Sequence, residues 1–330
     1  MYPTTIKPKV SVVIAAYNLM AYLPETIANV LQQTFTDFEV IVVNDGSTDH
    51  TAQWVSQVED PRVRLISQEN MGLSGACNTG VINATGEYIT FLDADDLWEK
   101  TKLAQQVEIL DNYPEVSVVS TWVTYMNEAG ESTGRVVKPT AEGYIWRQMI
   151  EVNQIECGSV IMIRRSCFDH VGLFDTNLKS YVQDWDMWLR LSLEYQFKLI
   201  PQPLVYYRQR SSSGSRNLGA MERSFNLVLT KAYNAAPAEL KPYVSHGYGF
   251  AYSCLAWKAL QNQTPDPNQA REFQQTALSK DPTRYWTKEN LRLTVAIALM
   301  RWFGQHNYLK LLGAMQSLRS KLNSASAIGS

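Results

Sequence analysis

The chain has 330 residues, 45% hydrophobic and 19% charged, which supplies a sizeable core and excludes a largely disordered protein. Thirty Lys and Arg stand against 32 Asp and Glu, so no basic excess exists to hold a nucleic-acid backbone, and no nucleic-acid partner is expected. Cys77, Cys157, Cys167 and Cys254 form no C-x-x-C pair, which excludes a zinc cage or redox motif and suits a reducing compartment. Along the chain, residues 10–16 (VSVVIAA) read as a buried strand. Residues 22–34 read as a helix with Leu23, Ile27, Val30 and Leu31 on one stripe. A second strand covers 38–43, and Ser47, Thr48 or Asp49 can cap a helix running to about Val58. Strands at 63–67, 88–92 and 116–120 alternate with helices at 74–84 and 97–112. This alternation predicts an α/β fold, Rossmann-like, with a mostly parallel sheet and helices on both faces.

The middle of the chain changes character. Residues 122–127 and 135–138 flank a turn at 128–134 and read as a hairpin, and 158–163 reads as a strand. Residues 184–195 read as a helix, and two prolines divide 197–200 from 204–207. The polar segment 210–217 (RSSSGSRN) reads as a linker or a loop over a site. It separates a first domain, 1–217, from a helical C-terminal region, 218–330. That region holds a helix pair at 248–261 and 268–280, then amphipathic stretches at 291–303 and 309–322 with basic polar faces. Docking of these stretches onto the core is favoured over contact with a membrane surface. No leader of basic then apolar residues is seen, and no run reaches the roughly 18 apolar residues that span a bilayer. A cytoplasmic protein is expected, with peripheral contact at the inner face of a membrane through the C-terminal helices as a further expectation.

Four polar segments follow the strands expected to be parallel: Ala15 to Asn18, Asn44 to Asp49, Gln68 to Gly72 and Asp93 to Asp96. Loops at the carboxyl ends of parallel strands form ligand crevices, and four such loops define one of nucleotide size. Asp93 and Asp95 can reach a hard divalent cation, Mg²⁺ or Mn²⁺, which would bind diphosphate oxygens on its other side. A second D-x-D triplet, Asp184 to Asp186, opens a helix instead. Asp96 is read as negative charge at a helix N-terminus. Asp45 sits at a strand end beside Gly46, where a carboxylate can accept a nucleobase N–H. No G-x-x-x-x-G-K-[ST] and no G-x-G-x-x-G after the first strand occur, which argues against an ATPase and a dinucleotide enzyme. Trp122, Trp146, Trp185 and Trp188 are candidates for an acceptor site, with core packing expected for at least half.

Residues 10–18 (VSVVIAAYN), 33–49 (QTFTDFEVIVVNDGSTD), 68–80 (QENMGLSGACNTG), 86–96 (GEYITFLDADD) and 183–190 (QDWDMWLR) together resemble the family 2 glycosyltransferases of the GT-A fold, over about residues 8 to 210. The resemblance implies transfer of a sugar from a nucleotide-diphosphate donor to an acceptor hydroxyl, with inversion. Tyr17 and Asp45 would flank the base, between Ala16 and Asn18 on one loop and the turn on the next. Asp93 would meet the ribose or donor sugar, with Ala94 beside it, and Asp95 would bind the metal. Asn70, Gly72 and Asn78 would shape the donor pocket, and Asp184 would be the catalytic base. Asp45 suits uracil or thymine without excluding guanine, so a UDP- or dTDP-type donor is expected. The acceptor would be a glycan, a lipid-linked sugar or a protein.

Three positions depart from the family pattern. Gln183 stands where many relatives carry Glu, and Cys77 where many carry Arg. Tyr207, Arg208, Gln209 and Arg210 replace a Tyr-Arg-x-His run; Arg208 and Arg210 are expected among the nucleotide-sugar ligands, and Arg210 can hold phosphate where an imidazole would hold metal. Two other readings stay open at this point: a nucleotidyltransferase acting on sugar phosphates, and a non-catalytic sugar-binding protein.

Overall fold

A computed structural model describes residues 7–178, 182–210, 217–262 and 264–304. Two compact units are present: the described residues within Met1–Ser215 plus Thr230–Lys241, and those within Arg216–Leu229 plus Pro242–Ser330.

The first unit is built on a sheet in the order β3-β2-β1-β4-β8-β6-β9-β5, with β7 added beside β6. Strands β1 (Val10–Ala16), β2 (Phe38–Asp45), β3 (Val63–Gln68) and β4 (Tyr88–Phe91) are parallel. Their apolar, β-branched residues suit a sheet covered on both faces, and β1 and β2 are buried almost throughout. Ala16 pairs with Asn44, Asp45 with Gln68, and Val13 with Phe91, so the four strands end on one edge. Beyond β4, β8 (Met162–Arg164) is antiparallel to both β4 and β6 (Val116–Met126). β9 (Gln196–Arg208) runs parallel to β6, and β7 (Ser132–Val137) closes the expected hairpin.

Helix α1 (Leu23–Val30) buries Leu23, Thr26, Ile27 and Val30 on one stripe, and Pro24 opens it. The short α2 (Thr51–Val55) follows Asp49, whose Oδ1 accepts from Thr51 N at 3.0 Å. Helix α3 (Gly72–Asn83) lies close on the sheet because its inner face is small: a Cβ on Gly80 would stand 2.1 Å from Val13 Cγ1. Helices α4 (Lys102–Asn112), α5 (Trp146–Glu151), α6 (Ser166–Val171) and α7 (Gln183–Glu194) complete the cover.

Four elements differ from expectation, each through a long-range contact. Residues 97–112 do not form one helix: Leu97–Trp98 is strand β5, antiparallel to β9, and Asn29 brackets it by bonding Trp98 N and O. Residues 116–127 form one strand, not two, because β9 supports β6 along its length. Residues 158–163 split into a 3-10 turn, Gly158–Val160, and β8. Gln106 Nε2 donates to Val119 O and Val160 O, which fixes that turn. β9 continues through Pro201 and Pro203, where the ladder slips beside Trp122, so the missing N–H groups cost no ladder bond.

The second unit contains α9 (Val244–Gln261) and α10 (Pro267–Lys280), the latter capped by Asp266, whose side chain accepts from Asn268 N and Gln269 N. Helix α8 (Leu218–Ala235) is shared out between the two units after Leu229. A further helix over 288–304 buries Leu293, Ala296, Ile297 and Met300 and joins α10 through Gln274, which donates to Asn290 Oδ1 and Thr294 Oγ1 at 2.7 Å. One face of this stretch is thus buried, as expected, and the stretch at 309–322 lies outside the described residues, as does most of 210–217. Among the described residues no helix is long and apolar enough to cross a membrane.

The α3–β1 approach gives a test. Gly80→Ala should lower stability by about 1–3 kcal/mol, because a stiff β-branched neighbour must move. Urea unfolding of the two proteins, compared at equal m-value, measures the loss.

Candidate active site

The four parallel strands deliver their loops to one edge, and polar side chains knit these loops together. Asn18 follows β1 in the left-handed region, at φ 52°. Its Oδ1 accepts from Thr48 N at 2.7 Å and Asp49 N at 3.3 Å, and its N–H donates to Ser47 Oγ at 3.0 Å. Asn18 therefore ties the first loop to the second. Tyr17 beside it is 50% exposed.

Asp45 is the last residue of β2 and is buried. Its Oδ1 accepts from Gln68 Nε2 at 2.7 Å and Met71 N at 2.8 Å, while Asn70 Nδ2 donates to its carbonyl at 2.9 Å. Gly46, at φ 75°, makes the turn, and a Cβ there would stand 2.9 Å from Asn70 N. Gly72, also at φ 75°, opens α3 with nothing within 4 Å of where a Cβ would lie. Asn78 departs from expectation: its side chain clamps the Phe174 backbone, donating to Phe174 O at 2.9 Å and accepting from Phe174 N at 2.8 Å. It holds the loop after α6 and is not left over for a ligand.

The acid-rich loop after β4 is fixed by a buried polar knot. Asp96 is fully buried. Its Oδ2 accepts from Ser159 Oγ at 2.6 Å and its Oδ1 from Arg208 N at 2.9 Å. Ser159 Oγ in turn accepts from Asp93 N at 3.0 Å. Asp96 was expected to favour a helix N-terminus, but α4 starts only at Lys102. Arg208 was expected among the nucleotide ligands. It is buried, and its guanidinium reaches Asp95 O, Glu128 O and Glu25 Oε2 at 2.8, 3.0 and 2.7 Å. It anchors the loop from behind. Thr26 Oγ1 adds bonds to Ala94 O and Asp96 O.

With Asp96 committed, Asp93 and Asp95 carry the remaining carboxylates. Burial, then Asp95 and Asp184, push Asp93 up to about 7, and Arg210 opposes them. Asp95 is also raised, by burial, against the pull of Arg210, whose Nε lies 2.5 Å from Asp95 Oδ2. Ligand atoms of Asp93, Asp96 and Cys157 lie within 4.8 Å of one another. Burial holds the Cys157 thiol protonated, well above its ordinary pKa, and both Asp96 oxygens are bonded, so neither suits a hard cation.

Asp184 lies in the first turn of α7, half-buried, with Oδ1 accepting from Trp185 N at 2.7 Å. Burial raises it to about 6, and Glu156 adds to the rise. Its neighbour Asp186 is unlike it: buried and paired with Arg190 Nε at 3.0 Å and Lys231 Nζ at 2.7 Å. Burial foremost, then Asp93, Asp184 and Asp45 together, push the Cys77 thiol above its ordinary range. All three carboxylates thus act electrostatically on one buried thiol of α3. Gln183 is buried, and its Oε1 has no partner among the described residues. Trp146, Trp185 and Trp188 are core residues, while Trp122 is part-exposed and donates to Pro139 O.

Sequence reading did not single out Ser159, Glu156 or Tyr125. Tyr125 OH donates to Glu156 Oε1, within electrostatic reach of Asp184. No local pattern marks these residues, since the β6 and 3-10 contacts that bring them in are long-range.

A parallel half-sheet with acidic strand-end loops, continued by a mixed half, matches the GT-A glycosyltransferase fold. The first 349 residues of TarS of S. aureus with UDP-GlcNAc align over 90% of this chain and 92% of that one, at TM-score 0.57 and 17% identity. The mannosyltransferase PcManGT of Pyrobaculum calidifontis, with GDP-Man and Mn²⁺, aligns over 95% and 85%, at TM-score 0.56 and 22% identity. A family model described as "Glycosyl transferase family 2" matches residues 11–172. The Escherichia coli UDP-Glc:alpha-D-GlcNAc-diphosphoundecaprenol beta-1,3-glucosyltransferase WfaP is 30% identical over 213 residues, 63% of this chain and 80% of that protein. An uncharacterized glycosyltransferase of Nostoc sp. is 41% identical over 114 residues, 34% of this chain, which spans 35% of the Nostoc protein's length. The chain belongs to glycosyltransferase family 2, and it is an enzyme of that activity.

The knot can be tested apart from activity. Asp96→Asn turns one acceptor into a donor facing Arg208 N or Ser159, and should cost about 1–3 kcal/mol of stability. A denaturant midpoint equal to wild type would remove Asp96 from this role.

Proposed function

We propose that the protein is an inverting, metal-dependent glycosyltransferase that takes its sugar from a UDP- or dTDP-type donor. The observation that carries this reading is the delivery of Asp45 and Asp93 to one sheet edge by parallel strands, with Asp184 within electrostatic reach of Asp93, while Asp186, two residues from Asp184, is spent on ion pairs. Asp93 and Asp184 are both raised by burial, and carboxylates perturbed in this way cluster at working sites.

Asp184 takes the proton of the acceptor hydroxyl as the oxygen attacks the anomeric carbon. The new C–O bond forms on one face while the bond to the diphosphate breaks on the other. The nucleoside diphosphate leaves with the electron pair, and the centre inverts. A hydroxyl is far too weak an acid to ionise alone near neutral pH, so a positioned carboxylate is needed. Oδ1 of Asp184 is held by Trp185 N, which leaves Oδ2 for the acceptor.

The donor set of Asp93 and Asp95 is all oxygen and fits Mg²⁺ or Mn²⁺, and their mutual repulsion favours a cation between them. Such an ion neutralises charge on the departing diphosphate. Arg210, now on Asp95, supplies a second positive group for phosphate. Tyr17 offers a ring for the base, and Asp45 keeps Oδ2 for a base N–H once Gln68 and Met71 hold Oδ1. WfaP, with UDP-Glc and a diphosphoundecaprenol acceptor in its name, supports a UDP donor and a lipid-linked acceptor for this chain. Mn²⁺ in the PcManGT complex supports the metal.

Asp184→Asn should lower kcat by ~10²–10⁴-fold while donor affinity stays within experimental error of wild type. Undiminished transfer by that variant, in a direct assay of glycoside product, would take the base assignment away. Because the base must be ionised, turnover should rise with pH up to a plateau above about 6 and fall as the pH drops below it. Chelation by EDTA should stop turnover of a nucleotide-sugar panel, and added Mg²⁺ or Mn²⁺ should restore it.

A further inference from the structure

The helix over 288–304 is apolar on two opposite faces. Leu293, Ala296, Ile297 and Met300 form the buried one. At 100° per residue, Leu291, Val295, Ala298, Leu299 and Trp302 fall on the other side, within one stripe. Leu291 is 49% exposed, Val295 57% and Trp302 79%. Just before the helix, Trp286 is 87% exposed, the highest value of any large apolar residue described. An ordinary surface helix turns polar groups to water on this side, so the stripe calls for a partner.

Charge names the partner's chemistry. Exposed Arg292 borders the stripe on one side and exposed Arg301 on the other, and exposed Lys288 lies at its N-terminal end. The one acid of this helix, Glu289, is taken by Arg284 Nη2 at 2.6 Å. The chain as a whole carries −2, yet residues 282–330 hold seven Lys and Arg against a single Glu. The rest of the chain is correspondingly acidic. An apolar stripe with Trp at its end and basic residues along both borders matches the boundary of an anionic bilayer, where acyl chains meet headgroups.

We propose that this face of helix 288–304 docks on an anionic lipid surface, with Leu291, Val295 and Trp302 in the acyl boundary and Lys288, Arg292 and Arg301 at the headgroups. The proposal goes beyond glycosyl transfer and does not need it, because lipid binding is read with neither donor nor acceptor present.

The test is co-sedimentation of the full chain with vesicles of phosphatidylcholine alone or mixed with phosphatidylglycerol. Binding is expected only to the mixed vesicles and should weaken as salt is raised. Trp302→Glu, and separately the pair Arg292→Glu and Arg301→Glu, should reduce it roughly tenfold or more, whereas Trp302→Phe keeps most of it. Brominated acyl chains should quench the wild-type Trp fluorescence and quench Trp302→Phe less. All positions changed are exposed, and circular dichroism checks that each variant is folded. Absent binding, or equal binding to both vesicle types, overturns the proposal. So does a lipid-free mass of two chains that Leu291→Glu converts to one, which would make the face a self-interface. Protection of Trp302 from aqueous quencher without lipid would assign the face to residues 305–330 and overturn it equally.

Discussion

A carboxylate with no access to water sets the geometry of the acid-rich loop at the carboxyl edge of the sheet. Asp96 lies between three stretches of chain that are far apart in sequence: the β4 loop, the 3-10 turn at Ser159 and the end of β9 at Arg208. A buried charge is costly unless donors surround it, and these two donors exist only when β6, β8 and β9 have assembled. The polar knot therefore links the mixed half of the sheet to the loop on the parallel half. Asp93 and Asp95 owe their placement to a neighbour that does no chemistry.

The acidic groups of the first unit fall into two electrostatic kinds. Asp186 and Asp175 share Lys231, and Asp60 grips Arg62, so their charges are balanced inside the protein. Asp93 and Asp184 are half-buried, and burial with like charges nearby raises both, to about 7 and about 6. The first kind holds structure. The second carries charge that its surroundings disfavour, the kind of perturbation that clusters at functional sites.

The parallel strands and their loops were legible because the sheet is covered on both faces, which writes β1 and β2 as unbroken apolar runs. The same reading located Asp45 and Asp93 at strand ends, since strand ends are local. What escaped was decided at a distance. Leu97–Trp98 follows directly on an acidic loop and looks like the opening of α4, but pairing with Val205 and Tyr206 makes it a strand. Pro201 and Pro203 look like a break in the chain, yet a slip in the ladder beside Trp122 absorbs both. Asp96 resembles its two acidic neighbours in sequence and differs from them only in what surrounds it. Arg208 and Asn78, which the resemblance places at the donor site, also bond backbone carbonyls and amides in long-range contacts that no local pattern shows.

Lys231 belongs to a short return of the chain, Thr230–Lys241, that rejoins the first unit after an excursion through the second. Its ammonium sits on Asp186, two residues from Asp184, and on Asp175. The family match ends at residue 172, before α7 and well before this lysine. The first unit accordingly draws on chain well beyond the recognisable family segment. Truncation upstream of Lys231 would take away one of the two cations on buried Asp186 and leave Arg190 to balance it alone.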